Sequence, residues 1–329
     1  MKKILLAAVA ALAIVGCTQN EEIEKAGEKA EINFGTVVKT GTRAAIITQS
    51  NFESFTVNAY KTSGALTAGS ALTEFMKNLE VNKNKTTGAW EYSGTYYWPT
   101  TDFVHFFATS PIQSIEGTTG YPTFKYTVKD VASQEDLLAA SLLDKVKANG
   151  EVVLVFQHLL TQVNFSIKGD TKGCTYSVSK LELKEVKNQA TFTFAESATG
   201  TWSTSVSSTA PTNISYAYTP ASPIVVTPGE KLEEVTKCET DGALFMLMPQ
   251  DASAIKLEIT YTATLDGDTQ PSFDGVKVVT LNGTWDKGQN IRYTLNLTSD
   301  ATAVSFGAPT VNPWIDEAGT TTDPVAKSE

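Results

Sequence analysis

Residues 152–167 read Val152-Val-Leu-Val-Phe-Gln-His-Leu-Leu-Thr-Gln-Val-Asn-Phe-Ser-Ile167. The first five positions are all apolar, the pattern of a strand covered on both faces. The run then thins to one parity, Leu159, Val163, Phe165 and Ile167, with polar residues between. Side chains alternate across a strand, so this parity puts one face on a core and the other outside it. A change of pattern within one strand means a change of packing along it, as at a bulge or a domain boundary. The division is therefore expected near residue 150, between domains spanning 44–150 and 151–300.

The same period of two runs outward in both directions. Upstream, residues 31–38 (Glu-Ile-Asn-Phe-Gly-Thr-Val-Val) and 52–60 read as strands, the second with Phe55, Val57 and Ala59 on one face. Trp90, Tyr92, Tyr96 and Trp98 share a parity around Gly94 and read as one aromatic strand face ended by Pro99. Residues 103–108 read as a short buried strand. Residues 133–147 are the best helical candidate, with Leu137, Leu138, Leu142 and Val146 at helical spacing and Ser133 as N-cap. Downstream, strands are expected at 177–186, 190–194, 224–227, 243–248, 255–265, 276–281 and 291–297. Gly, Asn and Asp punctuate them, as in Asp274-Gly275 and Asn282-Gly283. The expectation is an all-β chain with two β-sandwich domains in tandem and little helix.

Composition narrows the function. The 329 residues are 41% hydrophobic and 19% charged, with a formal net charge of −10. An acidic surface repels phosphate, so nucleic acid is excluded as a partner. Arg43 and Arg292 are the two arginines, His105 and His158 the two histidines, and Cys17, Cys174 and Cys238 the three cysteines. Nucleophile-elbow, phosphate-loop and zinc-protease motifs are missing, and His and Cys are not clustered as a zinc site requires. No catalytic residue, metal or cofactor is expected. His105 and His158 read as hydrogen-bonded structural histidines. Asp266, Asp268 and Asp274 read as turn residues and the four aromatics at 90–98 as core. Whether Cys174 and Cys238 pair is left open.

Lys2 and Lys3 precede an apolar run, residues 4–15, too short to span a bilayer. It ends in Ile14-Val-Gly-Cys17, which resembles a bacterial lipobox. Cleavage before Cys17 would leave it as a lipidated N-terminus, and several acyl chains on one residue anchor stably. Residues 18–29 read as a polar tether, in which Glu21 and Glu22 weakly resemble an acidic surface-export signal.

Two further features bear on function. Arg43 lies in Lys39-Thr-Gly-Thr-Arg-Ala-Ala45, after the strand at 32–38 and in a loop that invites proteolysis. The two ends of the chain also match. Ile32-Asn-Phe-Gly-Thr-Val-Val38 lies beside Val304-Ser-Phe-Gly-Ala-Pro-Thr-Val311. Strands alike in apolar pattern can fill one groove. Cleavage after Arg43 would release the first, removing Ile32, Phe34, Val37 and Val38, and leave an edge for another chain. The C-terminal segment of a second molecule could then supply Val304, Phe306, Val311 and Trp314 by strand addition. That joining is head-to-tail and, unless it closes into a ring, makes a filament.

At this point the sequence resembles the fimbrillin family, the type V pilins of Bacteroides and Porphyromonas relatives. The resemblance rests on the order of several motifs: the lipobox at Cys17, Thr42-Arg43-Ala44, Tyr97-Trp98-Pro99 before Val104-His-Phe-Phe-Ala108, Phe156-Gln-His-Leu-Leu160, and Val311-Asn-Pro-Trp314. It implies two transthyretin-like β-sandwich domains and an outer-membrane lipoprotein precursor. It implies an Arg-specific protease cutting Arg43–Ala44, donor-strand exchange with other fimbrial subunits, and a role in adhesion. The segments are then 1–17 signal peptide, 18–43 tether and first strand, 44–150 and 151–300 the domains, and 301–329 donor strand and tail. A tail long enough to donate favours a stalk or general subunit. The alternative is a monomeric surface lipoprotein that binds glycans or host ligands through an aromatic face.

Overall fold

The computed structural model describes residues 30–38, 47–48, 50–195, 200–203, 214–228, 236–238, 243–300 and 303–313. Among the described residues the regular structure is strand, apart from two 3-10 turns, Val131–Ser133 and Lys147–Asn149. The chain is all-β, as expected.

The first nine strands are β1 (Phe34–Val38), β2 (Ser54–Thr62), β3 (Thr73–Lys83), β4 (Trp90–Tyr92), β5 (Phe103–Ser110), β6 (Thr123–Thr127), β7 (Leu138–Lys145), β8 (Val152–His158) and β9 (Thr161–Gly169). Seven of them make one sheet in the order β1-β8-β7-β5-β2-β3-β4. The β1–β8 pair is parallel and its neighbours are antiparallel. The sheet encloses a core of Ile32, Phe34, Phe55, Phe106, Leu154 and Phe156.

The remaining strands are β10 (Cys174–Val186), β11 (Gln189–Thr193), β12 (Thr201–Trp202), β13 (Ile214–Tyr218), β14 (Ile224–Val226), β15 (Thr236–Lys237), β16 (Phe245–Leu247), β17 (Gln250–Asp251), β18 (Lys256–Leu265), β19 (Phe273–Thr280), β20 (Thr284–Trp285), β21 (Gln289–Leu297), β22 (Ser305–Phe306) and β23 (Thr310–Pro313). One sheet runs β13-β10-β18-β19 with β14 also on β10. A second runs β15-β9-β21-β22, with β16 on β9 and β23 on β21. Val163 and Phe165 of β9, Leu181 of β10, Tyr261 of β18 and Tyr293 of β21 share a second core. A small sheet, β12-β11-β6, and the pair β17–β20 complete the fold.

β5 touches both cores, which explains its unbroken apolar run. Phe106 and Ala108 face the first core and Phe107 the second. The expected helix at 133–147 is instead a 3-10 turn followed by β7. Leu138 and Ala140 face the first core while Leu137 and Ala139 face the second. Apolar residues in a row fit either period, and pairing with β5 and β8 selects the strand. The aromatic strand at 90–98 is also divided. β4 stops at Tyr92, Gly94 turns the chain at φ +88°, and residues 96–98 pair with 30–32 instead of β3.

The stretch 152–167 holds a sharper correction. It is two strands in two sheets, parted at Leu159 and Leu160. β8, apolar throughout its first half, is open on one face, with Val153 41% exposed. β9, with alternating polar residues, is buried on both faces. Its polar face is paired laterally with β21, although Gln162 Nε2 and Asn164 Oδ1 are left without a partner. Asn290 Nδ2 donates to Gln162 Oε1 at 2.7 Å, Asn164 Nδ2 to Asn290 Oδ1 at 3.1 Å, and Arg292 Nη1 to Ser166 Oγ at 3.2 Å.

His105 is fully buried. Its Nδ1 accepts the Asp144 N–H at 3.0 Å, and its Nε2 lies 2.7 Å from Thr62 Oγ1. Burial holds its pKa below the ordinary value of 6.5, although the Asp144 carboxylate pulls the other way. A folded-state pKa below the unfolded one means that acid protonates the unfolded chain first. Stability is therefore complete above about 6.5 and falls as pH drops beneath it. Urea titrations at pH 7.5 and 5.5 are expected to show a larger loss for the native chain than for His105→Gln, which lacks the titrating ring.

Candidate functional site

β1 is a five-residue strand with little local reason to stay in place. It is parallel to β8, in the register Phe34↔Val152 to Val38↔Phe156, so no hairpin ties the pair together. What fixes it is burial. Ile32, Phe34 and Val38 are 0%, 3% and 4% exposed, whereas Val37 points outward. The Phe34 ring meets Phe55, Tyr92 and Phe106 edge-on, at centroid distances of 6.1, 5.6 and 5.9 Å. Val152 N donates to Asn33 O at 2.8 Å on one side. On the other, Ile32 N donates to Tyr96 O at 2.9 Å, Trp98 N to Ala30 O at 3.0 Å, and Tyr92 Oη to Ile32 O at 2.5 Å. The segment 30–38 thus closes the gap between β8 and the chain after β4. Three such side chains are worth roughly 5–9 kcal/mol together, at about 1.5–3 each, against a domain's whole stability of about 5–15.

The C-terminal segment lies on a comparable edge. β21 pairs in parallel with β9, and its other side carries β22 (Leu295↔Phe306) and β23 (Ile291↔Val311), both antiparallel. Val304 is buried, Ser305 exposed and Phe306 half-buried, its ring edge-on to Tyr293 at 5.5 Å. That alternation follows Ile32, Asn33 and Phe34. The two segments matched by sequence therefore present the same face order to two different sheets. Val311 is exposed.

Cys17, Arg43, Ala44 and Trp314 lie outside the described residues. Phe75, Trp90, Tyr92 and Tyr96 pack partly buried against the first core, and Tyr97 is exposed. The aspartates at 266–274 lie on the β18–β19 hairpin, where Asp268 N donates to Leu265 O at 3.0 Å. Cys174 and Cys238 are free, buried thiols in different sheets. Burial pushes the Cys238 thiol up to about 11. Among the described residues no group of three His, Cys, Asp or Glu could hold a metal ion.

One residue was missed by sequence reasoning. Asp136, 1% exposed, sits just before β7. Its Oδ2 accepts from His158 Nδ1 at 2.8 Å and from Ile47 N at 3.0 Å, while Oδ1 is buried without a partner. No sequence spacing links positions 47, 136 and 158; the fold alone brings them together.

Comparison with known proteins places these edges in context. The profile of a family described as fimbrillin-like matches residues 42–314. The fimbrium subunit Fim1C of Phocaeicola vulgatus is 28% identical over 198 residues, 51% of this chain and 52% of that protein. The chain thus spans about half the length of that curated relative. The crystal structure of a fimbrial protein from Bacteroides vulgatus superposes with a TM-score of 0.65 at 20% identity, covering 87% of this chain and 100% of that one. At that identity the likeness is one of fold.

If β1 is held by its buried face, its positions differ sharply in cost. Phe34→Ala is expected to lower stability by about 3–5 kcal/mol, whereas Val37→Ala, outside the core, costs under about 0.5. Urea unfolding followed by tryptophan fluorescence measures both.

Proposed function

The chain belongs to the fimbrillin-like family, and we propose that it is a non-enzymatic subunit of a cell-surface fimbrium that polymerises by exchanging an edge strand. In this reading Cys17 is lipidated and holds the precursor at the outer membrane. An Arg-specific protease then cuts Arg43–Ala44. Residues 17–43 leave with β1, and the C-terminal segment of another subunit enters the vacated place. The organisation is that of a signal (1–17), a tether with first strand (18–43), two β-sandwich units (44–150 and 151–300) and a donor segment (301–329). The two buried cores support a two-unit reading. The chain passes from the first sheet to the second at Leu159–Leu160.

The observation that carries the proposal is the burial of Ile32, Phe34 and Val38 in a strand that precedes Arg43 and is paired in parallel. Its loss opens an apolar groove whose filling is worth several kcal/mol. Val304 and Phe306 repeat its alternation on a sheet edge of the same chain. A polymer so built is held by ladder hydrogen bonds and apolar side chains. Adhesion is the biological role that this architecture serves.

The test uses protein lacking residues 1–17, treated with an Arg-specific protease and followed by N-terminal mass spectrometry and electron microscopy. Cleavage at Arg43–Ala44 followed by filaments is expected. Arg43→Ala should abolish both, while Phe306→Asp should be cleaved normally and form no filaments. Clean cleavage without polymers would replace self-polymerisation by a tip or anchor role. A folded monomer that resists cleavage at Arg43 would overturn the reading in favour of a binding lipoprotein.

A further inference from the structure

The first sheet has two ends to its strand order, β1 and β4. One side chain joins them. Tyr92 of β4 donates its hydroxyl hydrogen to Ile32 O at 2.5 Å, and its ring stands edge-on to Phe34 at 5.6 Å. At this seam the sheet closes on itself through a phenol.

The reason is local. Residues 30–32 and 96–98 run antiparallel, with Glu31 opposite Tyr97. Trp98 N donates to Ala30 O and Ile32 N to Tyr96 O. The regular continuation of that ladder is a bond from Tyr96 N to Ile32 O. The Tyr92 hydroxyl is spliced into that rung: Ile32 O accepts from it, and the Tyr96 backbone hydrogen-bonds to it in turn. Burial and the Glu31 carboxylate push the phenol pKa above its ordinary value of 10.0, against the Tyr96 bond, so the donor is kept at neutral pH. On the far side of Tyr96, Gly94 turns the chain at φ +88°, and the ladder ends.

Tyr92 therefore touches the strand at two points, a carbonyl and, two residues on, an aromatic ring. A slip of two residues is the smallest that keeps the core face inward. It would still bring a carbonyl to the hydroxyl, but it would carry Phe34 off the Tyr92 ring. A strand meets both contacts only with an aromatic residue two places after the carbonyl. Val304-Ser305-Phe306 has that spacing.

We propose that Tyr92 selects the strand accepted at this seam and sets its register, holding β1 through Ile32 and Phe34 before exchange and an incoming strand through Val304 and Phe306 after it. The second half rests on the exchange reading above. Tyr92 is in this sense a positioning residue of the strand-accepting groove.

The first measurement is residue-resolved amide exchange on the intact chain. Tyr92→Phe keeps the ring against Phe34 and removes the donor. The amides of residues 32–38 are expected to exchange about fivefold faster, the effect of one lost hydrogen bond, while those of β2 and β5 keep their rates. With 4-aminophenylalanine at position 92, which returns a donor to the same point, the native rate should be restored. An unchanged rate at 32–38, or an equal rise across the whole sheet, would overturn the proposal. The second measurement uses the chain cleaved after Arg43 and a fluorescein-labelled peptide of residues 304–313, with binding read by anisotropy. An ester in place of the Val304–Ser305 amide weakens that carbonyl as an acceptor. The ester is expected to bind the native chain about fivefold more weakly than the amide does, and the Tyr92→Phe chain under about twofold more weakly. The Ser305 N–H that the ester also removes is missing in both comparisons and cancels. An equal penalty in both chains would overturn the selection of the incoming strand. Resistance of Arg43 to cleavage, or cleavage without uptake of the amide peptide, would overturn the exchange reading and that selection with it. Faster amide exchange confined to residues 32–38 would in that case establish Tyr92 as the hold on β1 alone.

Discussion

The first sheet depends on Phe34 sitting among Phe55, Tyr92 and Phe106. A parallel edge strand of five residues has no hairpin to hold it in register and only one long neighbour to pair with. Its side chains must do what the topology does not. Ile32, Phe34 and Val38 supply that hold, and the backbone contacts at residues 30–32 close the sheet against the segment after β4. A strand tied by a tight turn could not leave without unravelling its partner.

The C-terminal edge differs in degree. Val304 is buried and Phe306 partly so, but Val311 faces solvent, and the pairing along β21 is split into β22 and β23. Among the described residues, fewer buried side chains hold this segment to its own chain than hold residues 30–38 to the first sheet.

Charge and polarity are handled inside the fold in two ways. On β9, Gln162, Asn164 and Ser166 are buried, and their partners, opposite or diagonal, come from the neighbouring strand, so alternation that looks solvent-facing is compatible with burial. At Asp136 the two partners, Ile47 and His158, come from two other parts of the chain and leave one oxygen over. The first is a lateral network along two strands, in which Gln162 Nε2 and Asn164 Oδ1 stay without a partner. The second joins residues far apart in the chain and leaves Oδ1 without a partner.

The sequence by itself determined that the chain is all-β, where most strands run, and that residues 32–38 and 304–311 share an apolar pattern. It could do so because alternation and turn residues are local. Local pattern also misled: Leu137, Leu138 and Leu142 fit a helix as well as β7, and residues 152–167 looked like one strand. Tertiary structure alone decided which faces are covered. It left Val153 open and closed Asn164, because coverage depends on what packs above a strand and not on the strand's own residues. It alone joined Ile47, Asp136 and His158, since contacts between residues 89 and 22 positions apart leave no periodic trace in the chain.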